Sequence, residues 1–254
     1  MQSDQDELAL KYHYADFTRS AYREQLRAAR AHYTFRHFHD YREDERFVLW
    51  RHDVDFSVHA ARKLAEIEAQ EKVSSTFFLL PHSDFYNLMD RVILRQVEGI
   101  LALGHRLGLH FDCGYYGVKA VDQLEDLLYF EARLLERLFG QAIDVFSFHN
   151  PDVWMLEQRD ARYGGLINTY SAYFRDQVGY CSDSNGYWRH RRLAEVLAKG
   201  EDHCLQVLTH PAWWVDTPMS PRERVERCVR GRAEATLRQY DNDLAAFGRK
   251  NVGR

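Results

Sequence analysis

Apolar and polar positions along the chain follow two different periods, and the change of period marks its elements. Phe47-Val48-Leu49-Trp50 is a continuous apolar run of strand length. From Ser57 to Lys72 the spacing becomes three and four: Ala60, Ala61, Leu64 and Ile67 trace one helix face, with Glu68 at its edge and Ser57 where an N-cap belongs. Ser75–Leu80 is a second strand. Val92, Ile93, Val97 and Leu101 predict a helix over about 89–102, and His105–Phe111 is a third strand after Gly104. Leu124, Leu127, Leu128, Ala132, Leu135 and Leu138 define a long helix over about 120–139. Ile143–Phe148 is a fourth strand, stopped by His149-Asn150-Pro151. Short strands are predicted near 166–174, 177–182 and 203–209, a short helix over 191–199 and a long charged helix over 221–247. At the other end Tyr22, Leu26, Ala29 and Tyr33 predict a helix near 17–33, and His37–Glu45 reads as a charged surface loop.

Strands that alternate with helices imply βαβ units and parallel strands. Open sheets and closed barrels both fit. The strand count suits an α/β fold built as a distorted (β/α) barrel of about seven parallel strands. Residues 1–45 read as an N-terminal helical extension and residues 46–254 as the main domain. In such folds chemistry sits at the C-terminal ends of the strands. Polar residues crowd those ends here: Asp53 and Asp55, then His110 and Asp112, then His149 and Asn150, then Asp183 with Trp188 beyond it, and finally Leu208-Thr209-His210-Pro211 followed by Trp213 and Trp214. Asp53 and Asp55 lie two apart on a strand, so they share a face. Like charges there repel unless a cation, either a metal ion or an arginine, stands beside them. The alternative is that the pair only caps the following helix. Aspartate with histidine is an N/O donor set suited to a divalent metal such as zinc.

Composition narrows the picture. The 254 residues are 45% hydrophobic and 28% charged, ordinary for a globular chain, and the net charge of −4 argues against a nucleic-acid partner. The four cysteines form no CxxC pair, which argues against a thiolate zinc site. No apolar run approaches membrane-spanning length, and MQSDQDELAL carries no leader-like segment, so the expectation is a cytoplasmic protein with reduced thiols. The run Arg222–Arg232 reads as a solvated helix face. Oligomeric state is not legible.

The order His52-Asp53-Val54-Asp55, STFFLL, GHRLGLH and LTHP resembles the polysaccharide deacetylase family, also called NodB-homology or carbohydrate esterase family four, over roughly residues 46–215. The resemblance implies a distorted barrel, a divalent metal with zinc expected, and N-deacetylation of a carbohydrate. It makes residues 46–254 a deacetylase catalytic domain. By motif match Asp53 resembles the catalytic base, Asp55 and His110 metal ligands, and His210 the general acid. Leu208 resembles the residue that lines the acyl pocket, and Asp183 and Trp188 resemble the motif that lines the site and orients the acid. Asn150, Asp112 and Trp213 are further substrate-binding candidates. Two departures stand out. The family's second motif ends in a second histidine, where this chain has Gly114; His149 is the candidate substitute, with Asp112 behind it. The family's Arg-Pro motif is missing after the fourth strand, and Arg51 is the candidate to orient the base instead. The implied substrate is a sugar nucleotide or glycan precursor. The rivals are a non-sugar amidohydrolase, a binding domain that has lost turnover, and an assembly scaffold.

Overall fold

The computed structural model describes residues 2–253. Among the described residues there are nine strands: β1 (Thr34–Arg36), β2 (Phe47–Val54), β3 (Thr76–Leu79), β4 (Arg106–Phe111), β5 (Val145–Phe148), β6 (Arg162–Tyr163), β7 (Leu166–Asn168), β8 (Gly179–Ser182) and β9 (Leu205–Thr209). They form one sheet in the order β6-β7-β5-β4-β3-β2-β9-β8, with β1 pairing on β2. Along the path β7-β5-β4-β3-β2-β9-β8 every pairing is parallel, and only β6 runs antiparallel to its neighbour. The sheet curls into a half-barrel, the distorted (β/α) barrel expected from the alternation of strands and helices.

Two differences from the sequence expectation have simple causes. The first strand continues through Val54, with all eight residues buried. Arg51, His52 and Asp53 therefore lie within the strand, not past its end. Residues 166–174 are not one strand. β7 stops at Asn168, and Ala172–Asp176 is a helical turn, because short apolar runs do not separate strand from helix by period alone.

Strand geometry sorts β2 by face. Arg51 and Asp53 point into the half-barrel. Trp50 and His52 point outward, under the Arg19–His32 and Val58–Gln70 helices. That outer layer holds a buried polar knot. Glu68 is fully buried and accepts from the Tyr22 hydroxyl, the Ser75 hydroxyl (2.6 Å) and the His52 ring (Nε2, 2.6 Å). His52 Nδ1 meets the Thr209 hydroxyl at 2.7 Å, which fastens β2 to β9 one residue before His210. His105 is spent on structure, with Nε2 3.0 Å from the Ala65 carbonyl and Nδ1 accepting from Ser75 N–H.

A second buried acid is Glu131, on the Val121–Phe139 helix. Burial, with a smaller contribution from the Asp112 charge, outweighs the Tyr116 hydrogen bond and raises its pKa from 4.5 to about 7. The folded state therefore keeps a proton that the unfolded chain sheds between pH 4.5 and 7, and stability falls as pH rises through that window. Glu131→Gln removes that dependence. It is expected to stabilise the protein at pH 8 by about 3 kcal/mol more than at pH 5, measured by urea unfolding at both pH values.

Candidate active site

The C-terminal ends of β2, β4, β5, β8 and β9 surround a cavity of about 860 Å³. Its lining includes Asp53, Asp55, His110, Asp112, His149, Asn150, Leu208, His210 and Trp213, nine of the residues singled out from sequence. Asp183 sits directly behind His210. Trp188 does not reach the cavity wall: it stacks on Phe17, and its indole N–H donates to Asp16 at 3.0 Å.

Three donor atoms converge. Asp55 Oδ1 lies 3.1 Å from His110 Nε2 and 3.6 Å from His149 Nδ1, and the two ring nitrogens are 3.1 Å apart. A tetrahedral ion with ligands about 2.1 Å away sets those ligands about 3.4 Å from one another, so the spacing matches. Asp55 Oδ1 is buried without a hydrogen-bond partner among the described residues, the state of an atom built to face a cation. Burial would raise the Asp55 pKa, but the imidazoles of His110, His149 and His210 outweigh it and hold the carboxyl well below the usual range. These residues fit a divalent ion. His149 is the third donor of this cluster. Asp112 is not part of it: its Oδ1 accepts from Gly114 N–H (2.8 Å) and Tyr115 N–H (3.1 Å) and caps a one-turn helix.

Around this triad the chain fixes orientation. Ser147, which pairs with His110 across β4 and β5, has its Oγ 2.7 Å from His110 Nδ1 and 3.4 Å from Asp53 Oδ1. With the hydroxyl proton directed to Asp53, His110 Nδ1–H would donate to the serine, the tautomer that gives Nε2 a lone pair for a cation in place of a proton shared with Asp55. Such outer partners set the tautomer of a ligating histidine. Arg51 is fully buried, and its Nη2 donates to Asp53 Oδ2 at 3.0 Å. Its guanidinium lies near the rings of Phe78 (5.3 Å) and Tyr170 (5.4 Å). Asp53, inside β2, and Asp55, just past its end, are balanced separately: Arg51 pairs with Asp53, and Asp55 faces the imidazoles of His110 and His149.

On the opposite wall His210 Nε2 stands 3.8 Å from Asp55 Oδ2. Its Nδ1–H donates to Asp183 Oδ1 at 2.6 Å, and Asp183 also accepts from His210 N–H and from Trp214 Nε1–H, both 3.0 Å. Burial disfavours the imidazolium, but the charges of Asp183, Asp55 and Asp53 outweigh it and raise the His210 pKa to about 9. The ring is therefore held as a proton donor. Asp183→Asn removes the orienting charge and is expected to lower kcat by about 10²-fold or more with little change in KM, read from steady-state kinetics.

Ser147, Tyr170 and Tyr180 also belong to this site and were not singled out from sequence. The signal for Ser147 was present: it is the lone polar residue in the apolar strand Val145–Phe148.

No family model matches the chain, and no curated protein matches it. Among solved structures it is similar to a CE4 family pseudoenzyme from Bacillus anthracis, with 16% identity over 76% of this chain and 63% of that one and a TM-score of 0.42. It is similar to the chitin deacetylase from the fungal pathogen Colletotrichum lindemuthianum, with 14% identity, 73% and 81% covered and a TM-score of 0.41. A family 4 acetyl xylan esterase from Clostridium thermocellum, in complex with a cobalt ion, gives 14% identity, 82% and 96% covered and a TM-score of 0.43. The chain spans a little under two thirds of the pseudoenzyme's length. What the site does is decided by its own residues.

Proposed function

We propose that the protein is a metal-dependent hydrolase that removes an N-acetyl group from a sugar or glycan precursor. The observation that carries this reading is the convergence of Asp55 Oδ1, His110 Nε2 and His149 Nδ1 to within 3.6 Å, between a buried carboxylate on one side and a hydrogen-bonded histidine on the other. A bound divalent ion, zinc being our choice, would supply Lewis acidity and a hydroxide source at neutral pH. Asp53 takes the proton of the attacking water, held in place by Arg51 and Ser147. His210, oriented by Asp183, gives a proton to the departing amine. Asn150 and Trp213 line the wall against which a sugar would rest, and Leu208 faces the acyl group.

No helix among the described residues is long and apolar enough to cross a membrane.

The binding-only alternative has one specific observation in its favour, Gly114 in place of a ligating histidine. Amine release decides between the two. Zinc-loaded protein is expected to release free amine from N-acetylated hexosamines, to stop when a chelator strips the ion, and to recover when zinc returns. Stoichiometric zinc without amine release from any N-acetyl sugar would leave a binding domain.

A further inference from the structure

Histidines that serve the fold alone spend both ring nitrogens inside it. His52 reaches Glu68 and Thr209, and His105 reaches Ala65 and Ser75. His82 is different. It follows β3, which lies between β2 and β4 in the sheet. Its loop therefore leaves the rim between the strands that present Asp55 and His110. The next residue fastens it there: Ser83 Oγ–H donates to the Asp55 carbonyl at 2.8 Å. His82 lines the active-site cavity but is not one of the three converging donors.

One edge of its ring is built into the protein. Nε2 lies 2.6 Å from Glu131 Oε1 and 2.8 Å from the Tyr116 hydroxyl, which itself donates to Glu131 at 2.8 Å. Glu131 is fully buried. The Tyr115 ring stacks on the imidazole at 3.7 Å, with 7° between the planes. Both the position and the plane of the ring are thus fixed. The arrangement repeats the one across the cavity, where buried Asp183 stands 2.6 Å behind His210. The other edge of His82 is free. Nδ1 has no hydrogen-bond partner among the described residues, and it does not belong to their buried unmatched atoms, so it is open to solvent.

Charge decides what suits Nδ1. Burial outweighs the Asp112 charge and lowers the His82 pKa from its ordinary value of 6.5, so the ring is neutral at pH 7 and offers an anion no ion pair. With the proton on Nε2, Nδ1 accepts. With the Glu131 carboxyl donating to Nε2, Nδ1–H donates. A hydroxyl answers both states, because it gives and takes hydrogen bonds.

We propose, resting on the deacetylase reading of the site, that His82 is a substrate contact: its Nδ1 holds a hydroxyl of the N-acetyl sugar and so selects among hexosamines by where that hydroxyl points. Glu131 and Tyr116 act through His82 as positioning residues.

The test is amine release from N-acetylglucosamine and N-acetylgalactosamine, and from the 3-, 4- and 6-deoxy forms of the faster one, by zinc-loaded protein. Two variants separate the edges of the ring. His82→Gln carries an amide to the Nε2 side and gives up the Nδ1 side; His82→Asn does the reverse. His82→Gln is expected to lower kcat/KM by about 10-fold, roughly the worth of one hydrogen bond, with an unchanged melting temperature. Wild type should lose about as much on the one deoxy sugar that lacks the held hydroxyl, and His82→Gln should lose nothing further on it. His82→Asn is expected to recover most of the rate while melting at a lower temperature, since Glu131 and Tyr116 lose their partner. Faster turnover by His82→Gln than by His82→Asn, equal losses on every sugar, or no loss at all overturns the contact. If wild-type protein releases amine from none of these sugars, the deacetylase reading fails separately. Calorimetric titration of the same proteins with the same sugars then decides His82: weaker binding by His82→Gln than by His82→Asn upholds the contact, and equal binding, or none by wild type, overturns it.

Discussion

Asp53→Asn is expected to keep its metal and lose about 10²–10⁴-fold in kcat, the range a positioned general base contributes. The substitution preserves shape and removes the basic lone pair that takes the water's proton. Asp53 is 2% exposed, held by the Arg51 guanidinium and the Ser147 hydroxyl, and is not one of the three converging ligands. Zinc content should therefore stay at one per chain while amine release collapses. A variant that hydrolyses at the wild-type rate would move the base elsewhere. A variant that loses zinc would make Asp53 a ligand.

His149→Ala is the second large effect. With Asp55 and His110 alone, two protein donors remain, and zinc affinity is expected to fall by more than about 10²-fold, beyond what a lost supporting partner costs. Activity should vanish at equimolar zinc. Asp112→Asn is the matched control. Asp112 lies nearby, but its Oδ1 is committed to capping Gly114 and Tyr115. That variant should keep zinc, since asparagine caps as well as aspartate. Competitive titration with a chromophoric chelator separates the two. If Asp112→Asn loses zinc and His149→Ala keeps it, the third ligand has been misassigned.

Much of this arrangement is legible in the sequence because strands and helices have different periods. The spacing of Asp53 and Asp55 places them on one face, and the positions of His110, His149 and His210 just after apolar runs place them on one rim. Period two also puts Arg51 on the face of Asp53. Other features are hidden for physical reasons. β1 is three residues long and exists because Thr34–Arg36 pairs with the edge of β2; no local pattern announces so short a strand. Glu68 sits at the edge of an apolar helix face, where a charge ordinarily reaches water. Its burial depends on Tyr22, His52 and Ser75, which come from three other segments. The basic run Arg222–Arg232 carries the pattern of a solvated face, and only the seating of its helix on the Pro211–Trp213 turn, across a groove from the Val58–Gln70 helix, turns part of it into a cavity wall. Trp188 shows the converse: its place in a motif pointed to the site, whereas its indole is taken by Asp16 and Phe17.

The proposed chemistry depends on a divalent cation held by one carboxylate and two imidazoles. Anomalous diffraction at the zinc edge, from crystals grown with zinc, addresses it directly. One strong peak is expected about 2.0–2.2 Å from Asp55 Oδ1, His110 Nε2 and His149 Nδ1 together. Well-ordered side chains at those positions with no peak between them would contradict it.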